Sequence, residues 1–173
     1  MIRALMIALL ALVAIPAAAQ TAPAAKPNPR VAFETEAGRF VVEVYADKAP
    51  VTAANFLRYV DAKRLDGITF YRVVKVQDHF GFVQLGLQND PKKVFPPIRH
   101  EPTTTTGIKH LDGTLSMPRL KPGAFARVID GLDVVLKVFD APNSPTATLR
   151  GGVFKGEVPI KPVKVLTVRR VAG

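Results

Sequence analysis

The residues with the clearest chemical potential are an arginine and a glutamine in two neighbouring apolar runs. Arg72 lies in FYRVV at residues 70–74, and Gln84 closes GFVQ at residues 81–84. An arginine side chain stays charged and offers five N–H donors in one fixed plane. Set among apolar and aromatic residues, these two side chains indicate a site that binds a neutral, apolar group and offers it fixed hydrogen-bond donors.

Other chemistries lack the residues they need. The chain has no cysteine, and its three histidines are unevenly spaced at His79, His100 and His110, so we expect no zinc site. Ser116 lies near His110 on a predicted strand, without the sharp turn that presents a hydrolase nucleophile. The Gly-Gly pair at residues 151–152 lacks the lysine and helix pattern of a phosphate-binding loop. The sequence therefore predicts neither a metal ion nor a cofactor.

The first part of the chain predicts a hairpin followed by a helix. Residues 31–35 and 39–45 predict two strands; in the second, Phe40, Val42 and Val44 share one face while Arg39 and Glu43 lie on the other, which is the pattern of a half-buried strand. Pro50 ends the second strand, and Thr52 is placed to cap a helix that runs to about Arg64. Apolar residues recur on one face of this amphipathic helix at Ala53, Phe56, Leu57 and Val60.

The second part predicts another helix among short strands. Asp130 is placed to cap this helix, and the two prolines within residues 141–145 end it. Its apolar positions are Leu132, Val135, Leu136 and Phe139. Further strands are predicted from residue 70 and at residues 82–86, 114–117, 125–129 and 163–168, with residues 103–106 as loop. Many short strands with only two helices favour a β-barrel or a β-sandwich capped by helices.

The N-terminal residues have the pattern of a secretory signal. A positive charge near the start is followed by an apolar stretch and by three alanines at residues 17–19. We expect a signal peptide at residues 1–19, a Pro/Ala-rich linker at residues 20–30 and one domain at residues 31–173. The sequence therefore predicts a periplasmic or secreted protein with no transmembrane segment once the signal is removed.

The chain is strongly basic, with a formal net charge of +10. Such an excess favours anionic partners such as lipid head groups, nucleic acid or acidic polypeptide. The basic residues are scattered, with no long basic run or interleaved aromatic series. We therefore expect a solvated basic surface and no specific nucleic-acid binding. Separately, we expect a monomer. A basic protein that binds anionic surfaces is kept as a further hypothesis.

Six runs of the sequence resemble, in order, motifs of the cyclophilin family of peptidyl-prolyl isomerases. They are KAPVTAANF at residues 48–56, FYRV at 70–73, GFVQLG at 81–86, GTLSM at 113–117, FARV at 125–128 and DGLDVV at 130–135. The resemblance implies a mainly β fold, an antiparallel β-barrel capped by two α-helices. It also implies an enzyme that accelerates rotation about X–Pro bonds in exported proteins during folding, with proline-containing polypeptides as its partners.

One part of the family pattern is missing from this chain. The family carries a strand with a Q-FFI motif and a long active-site loop at the point where Ala124 here meets Phe125. We therefore expect an incomplete barrel and an incomplete site. This leaves open an alternative, a catalytically silent cyclophilin-like module that binds proline-containing polypeptides without turning them over.

The reaction that the resemblance implies assigns roles to particular residues. Rotation about an X–Pro bond has a barrier of about 18–20 kcal/mol, and the prolyl nitrogen regains a lone pair in the twisted state. Arg72 would donate a hydrogen bond to that nitrogen, and Gln84 would hold the substrate main chain or position Arg72. The predicted substrate contacts are Phe80, Phe82, Tyr71, Pro118 and Arg119. Whether Phe80 or Phe82 lines the proline pocket stays open.

Overall fold

The computed structural model describes residues 27–77, 80–88, 90–118 and 123–172. Within these ranges the elements are β1 (Arg30–Thr35), β2 (Gly38–Val44), α1 (Pro50–Asp61), β3 (Thr69–Gln77), β4 (Phe80–Gly86), α2 (Thr103–Thr106), β5 (Thr114–Met117), β6 (Gly123–Asp130), α3 (Leu132–Asp140), β7 (Asn143–Ser144), β8 (Thr148–Leu149), β9 (Phe154–Lys155), β10 (Val158–Pro159) and β11 (Val165–Val171). The predicted signal peptide at residues 1–19 lies outside the described residues. Along the part of the chain that is described, no helix is long and apolar enough to cross a membrane.

The largest part of the fold is a five-stranded antiparallel sheet with the order β11-β1-β2-β6-β5. β1 and β2 form the predicted hairpin, in which Phe33 pairs with Phe40 and the two rings stack with their centroids 4.6 Å apart. Gly38 closes the turn at a φ of 129°, a conformation that favours glycine. Its carbonyl accepts a hydrogen bond of 2.6 Å from the Thr35 hydroxyl. The two predicted strands are confirmed.

Three two-stranded ribbons, β3–β4, β7–β10 and β8–β9, lie outside this sheet. Backbone hydrogen bonds connect the start of β3 to the chain around β11: the Phe70 N–H donates to the Val163 carbonyl at 3.0 Å, and the Val165 N–H donates to the Ile68 carbonyl at 2.8 Å. Among the described strands, the sheets do not join into one closed barrel. The prediction of a mainly β fold with an incomplete barrel is therefore confirmed.

The core lies where α1, β3 and the five-stranded sheet meet. Its buried members include Val31, Phe33, Val42, Val44, Ala53, Leu57, Val60, Phe70, Val73, Phe125 and Val168. The predicted inner face of α1 is confirmed, with Phe56 half-buried and its ring centroid 5.2 Å from that of Phe125. Burying one large apolar side chain contributes about 1.5–3 kcal/mol, so this cluster provides the main driving force for folding.

The start of α1 differs from the prediction. The helix begins at Pro50 rather than after a Thr52 cap, and Thr52 is buried inside its first turn. The cap comes from far along the chain, because the Glu101 carboxylate accepts the N–H of Val51 at 3.0 Å and that of Thr52 at 2.7 Å. The Thr52 cap was wrong because Pro50 fits the first helical position and a buried carboxylate satisfies the free N–H groups.

The predicted start of α3 is also wrong. Asp130 is the last residue of β6, and the helix follows Gly131, whose φ is 72°. A Cβ at Gly131 would lie 2.4 Å from the Arg39 carbonyl oxygen, so glycine is required there. The buried face of α3 is formed by Val134 and Val138, whereas the predicted Leu136 is 50% exposed.

A third helix was not predicted. α2 spans residues 103–106, which the sequence indicated as loop. It is a single turn that ends at Gly107 in the left-handed conformation, with a φ of 67°. Four consecutive threonines have a low helix propensity and no apolar spacing, so local pattern could not identify this turn. The described residues therefore contain the two predicted helices plus this one-turn helix.

Candidate functional site

The candidate site is built on β3 and β4, which pair in antiparallel register with Arg72 opposite Gln84. The register is irregular between Phe70 and Arg72. In a regular strand these two residues would share one face, because side chains alternate with a period of two. The irregularity allows Phe70 and Val73 to enter the core while Arg72 is placed outside it, half-buried.

The Arg72 guanidinium is held on two edges and one face. Its Nε donates to Glu157 Oε2 at 2.6 Å, and its Nη1 donates to Gln84 Oε1 at 3.2 Å. The ring of Phe154 lies 3.8 Å from the guanidinium carbon, and the ring of Phe82 lies 5.4 Å from it. The exposed fractions of the side chains are 17% for Arg72 and 27% for Glu157. The group is therefore fixed in position but still reaches the surface.

Glu157 reaches Arg72 because its segment is docked onto β3 by main-chain contacts. The Val73 N–H donates to the Glu157 carbonyl at 2.8 Å. The Asn143 amide bridges the same two segments, since its Nδ2 donates to the Val73 carbonyl at 2.9 Å and to the Gly156 carbonyl at 3.0 Å. The strand that carries Arg72 is thus connected directly to the segment that carries its partner.

The arrangement leaves Arg72 able to bind something else. A guanidinium has five N–H donors, and the hydrogen bonds with Glu157 and Gln84 use two of them in the described part of the structure. The remaining donors belong to the terminal nitrogens, next to the half-exposed ring of Phe82. A donor of fixed direction beside an aromatic face suits a neutral, apolar group that carries a hydrogen-bond acceptor.

The predicted site residues divide into those that the structure brings together and those that it does not. Arg72, Gln84 and Phe82 lie side by side. Phe80 pairs with Gln77 near the end of the hairpin and is 59% exposed, so of the two candidate aromatic residues it is Phe82 that lies beside Arg72.

Three predicted substrate contacts have weaker structural support. Tyr71 is half-buried in β3, and burial raises the pKa of its phenol, while the charges of Arg150 and Arg72 act in the opposite direction. Pro118 is exposed after the end of β5, and it is not among the described contacts of Arg72. Arg119 lies outside the described residues.

Sequence reasoning missed Glu157 and Phe154. Glu157 is 85 positions from Arg72 along the chain, so no local spacing connects them. One signal was present: Glu157 is the only acidic residue from residue 141 to the C-terminus, in a stretch with six lysines and arginines. A single carboxylate in a basic segment is a candidate partner for a buried cation, since buried charges are paired.

A cleft opens beside the start of α1, away from the residues that surround Arg72. This cleft has a volume of about 490 Å³ and is lined by Asp47, Lys48, Pro50, Arg99, His100, Glu101, Pro102, Thr105 and Thr106. Burial by itself would raise the pKa of the Glu101 carboxyl, but the N–H groups of Thr52 and Val51 outweigh it and the pKa is lowered. Glu101 is therefore an ionised helix cap, and we assign it a structural role.

The fold and the site together define a class of protein: a mainly β protein that presents a fixed arginine beside an aromatic ring. A solved cyclophilin-type peptidyl-prolyl cis-trans isomerase of Cryptosporidium parvum has the same fold, with a TM-score of 0.58 over 84% of this chain and 99% of that one, at 16% sequence identity. The same isomerase, solved in the presence of the dipeptide Ala-Pro, matches with a TM-score of 0.57.

Comparisons of sequence identify the family. The family profile described as cyclophilin type peptidyl-prolyl cis-trans isomerase/CLD matches residues 30–124, more than half of the chain. A peptidyl-prolyl cis-trans isomerase of Acinetobacter baylyi is 29% identical, with coverage of 82% of this chain and 85% of the relative. Peptidyl-prolyl cis-trans isomerase B of Escherichia coli is 28% identical, with coverage of 80% and 97%. The chain belongs to the cyclophilin-type peptidyl-prolyl isomerases, as its motifs indicated, while the missing segment after Ala124 stays a prediction.

Proposed function

We propose that this chain accelerates cis–trans isomerisation of X–Pro bonds in polypeptides, with Arg72 as the group that stabilises the twisted state. The proposal rests on one observation. The Arg72 guanidinium is fixed by hydrogen bonds to Glu157 and Gln84 and lies next to the exposed ring of Phe82. Membership of the isomerase family supports the reaction class.

The uncatalysed rotation is slow because the amide is conjugated, with a barrier of about 18–20 kcal/mol. No proton transfer or covalent intermediate is required, so the catalyst has only to bind the twisted state more tightly than either planar state. In that state the prolyl nitrogen accepts a hydrogen bond, which Arg72 donates. Loss of one preorganised donor of this kind lowers the rate about 100- to 1,000-fold.

Phe82 is the group best placed to contact the prolyl ring. Its side chain is 47% exposed, and its ring centroid lies 5.4 Å from the Arg72 guanidinium carbon. Burying three ring CH₂ groups against an apolar surface would contribute about 2.4 kcal/mol. Gln84 hydrogen-bonds to Arg72, which favours positioning of the arginine over direct contact with the substrate main chain.

We also propose that the clients are exported proteins and that the chain acts in the periplasm or outside the cell as a monomer. The basis for the clients and the location is the signal-like pattern of residues 1–19. Cell fractionation of the full chain and of a variant that lacks residues 1–19 tests this proposal. Equal retention of both forms in the cytoplasm would contradict it.

The central experiment is a proline-isomerisation assay on a short X–Pro peptide with the full chain and two variants. Arg72→Ala should remove most of the acceleration. The matched control is Arg39→Ala, because Arg39 also pairs with a glutamate, Glu34, at 3.0 Å but on the β1–β2 hairpin of the five-stranded sheet. The control should keep the wild-type rate. Acceleration that survives in Arg72→Ala contradicts the assigned role.

One observation favours the catalytically silent alternative. Phe82, the ring beside Arg72, is 47% exposed, so the described part of the site is open to solvent on that side. An open pocket holds its substrate less rigidly, which weakens catalysis more than binding. Peptide binding that is unchanged in Arg72→Ala, with no acceleration by a folded wild-type chain, would establish the binding module instead.

A further inference from the structure

We propose that the segment from Phe154 to Glu157 forms the second half of the active site, with Glu157 and Phe154 as positioning residues for Arg72. The inference rests on the proposed isomerase function, because it explains how that function's central donor is kept in place. It assigns a role in the site to the C-terminal part of the chain, beyond the strand–strand pair of Arg72 and Gln84.

The contacts around Arg72 restrict movement of the guanidinium on two edges and one face. The bond from Nε to Glu157 at 2.6 Å and the bond from Nη1 to Gln84 at 3.2 Å fix two edges of the plane. The Phe154 ring at 3.8 Å covers one face. A long arginine side chain otherwise samples many rotamers, and a donor that is already oriented loses less entropy in the transition state.

Glu157 also changes what Arg72 can bind. Both side chains are mostly shielded from water, with exposed fractions of 17% and 27%, so the carboxylate offsets the charge of the guanidinium at short range. An unpaired arginine in a basic chain would attract carboxylates. Paired with Glu157, it acts as an oriented donor to a neutral acceptor such as a prolyl nitrogen. The pair therefore favours X–Pro segments over acidic groups at this position.

The main chain of Glu157 is anchored independently of its side chain. Its carbonyl accepts the Val73 N–H at 2.8 Å, and Asn143 bridges Val73 and the neighbouring Gly156. A substitution at residue 157 should thus remove the carboxylate and leave the segment in place. For this reason Glu157 variants test positioning rather than folding.

The experiment compares the full chain with Glu157→Ala, Glu157→Gln and Phe154→Ala. Glu34→Ala is the matched control, since it breaks a Glu–Arg pair at 3.0 Å on the β1–β2 hairpin. We expect kcat to fall about tenfold or more in Glu157→Ala and several-fold in Phe154→Ala, with little change in KM, since the arginine acts in the transition state. The control should have the kcat and KM of wild type.

Two further readouts separate positioning from a general structural effect. In a ¹H–¹⁵N spectrum, the Arg72 Nε–H signal, assigned by its absence from Arg72→Ala, should be resolved in wild type and lost from Glu157→Ala. Formate, tested at constant ionic strength, should inhibit Glu157→Gln several-fold more strongly than wild type. These results follow only if the carboxylate holds and neutralises the guanidinium.

Different outcomes overturn the inference and the proposed function. Wild-type kcat in folded Glu157→Ala, with activity lost in Arg72→Ala, overturns the positioning role and leaves the isomerase function intact. A wild-type chain with no Arg72-dependent activity overturns the proposed function. In that case an Nε–H signal unchanged by Glu157→Ala overturns the inference as well, because Glu157 then does not hold Arg72.

Discussion

The five-stranded sheet and the β3–β4 hairpin are both built from apolar strands, yet they leave different surfaces. In the sheet, β1 and β2 are paired on both sides, and Val31 and Val42 are fully buried. In the hairpin, β4 pairs with β3 alone among the described strands, and Phe80 and Phe82 of β4 are 59% and 47% exposed. The difference indicates that the sheet provides stability, while the hairpin exposes the groups that we propose contact the substrate.

β3 connects the two regions. Phe70 and Val73 enter the core, and Arg72 between them lies on the side of Gln84 and Glu157. The strand β3 therefore connects the site to the core. The irregular register near Tyr71 determines which of its side chains enter the core and which lie in the site. Substitutions in this strand and around it can separate stability from activity.

The largest effect is expected at Phe70, which is 1% exposed. Phe70→Ala should lower the free energy of unfolding by about 3–5 kcal/mol, because it leaves a cavity where the core meets β3. Chemical denaturation measures the loss. Phe80→Ala on the partner strand is the comparison and should stay within about 0.5 kcal/mol of wild type, as exposed sites do. Similar losses in both variants would contradict the division between the regions.

The next effect concerns Glu101, the carboxylate that caps the start of α1. Glu101→Ala leaves the N–H groups of Val51 and Thr52 without their partner and should cost about 1–3 kcal/mol near neutral pH. The folded-state pKa of Glu101 is lowered from 4.5, so the stabilisation is fully present above that value and is lost as the pH falls through the lower folded pKa.

Unfolding measured at neutral and at acidic pH tests this prediction. The difference between wild type and Glu101→Gln should shrink as the pH falls, because the wild-type carboxyl then becomes protonated and neutral like the amide. Glu34→Gln, an exposed glutamate on β1, serves as the control and should differ little from wild type at neutral pH. A difference for Glu101→Gln that stays constant across this range contradicts the capping role.

The sequence predicted most strands and two helices, because the alternation of residues 39–45 and the apolar spacing of α1 are local patterns. It could not predict the helix start at Pro50 with its cap from Glu101, since the two lie about 50 positions apart. The partner of Arg72 was missed for the same reason, at a separation of 85 positions.

Register explains another limit of sequence reasoning at the site. Phe80 and Phe82 are two positions apart on one strand, and alternation treats them alike. The β3–β4 pairing has irregularities between Phe70 and Arg72 and again between Lys75 and Gln77. Only this pairing shows that Phe82 is the ring that lies beside Arg72.

A smaller effect, on binding rather than folding, is expected at Phe82. Phe82→Ala should raise KM for an X–Pro peptide about tenfold, because roughly half of the apolar contact of about 2.4 kcal/mol comes from this ring. Its free energy of unfolding should change by less than about 1 kcal/mol, since the side chain is 47% exposed. Steady-state kinetics on Phe82→Ala and Phe80→Ala test the choice between the two rings. A larger change in KM for Phe80→Ala would reverse it.

The smallest effect is expected at Asp61, which offers a surface counterpart to the pair of Arg72 and Glu157. Arg170 donates to both carboxylate oxygens of Asp61, at 2.6 and 2.7 Å, but the two side chains are 46% and 53% exposed. The hydrogen bonds from Arg170 lower the pKa of the Asp61 carboxyl despite some desolvation. The pair therefore stabilises at neutral pH, and its contribution falls as the pH drops below 3.8.

Because water and salt screen an exposed pair, Asp61→Asn should cost about 0.2–1 kcal/mol, and less as salt is added. Its isomerase activity should equal that of wild type, because the pair joins α1 to β11 and is not part of the hairpin. Denaturation at low and high salt, with activity measured alongside, makes the comparison with Glu157→Ala. A loss of kcat in Asp61→Asn as large as that in Glu157→Ala would contradict this comparison. It would show that the role of the Arg72–Glu157 pair does not depend on its shielding from water.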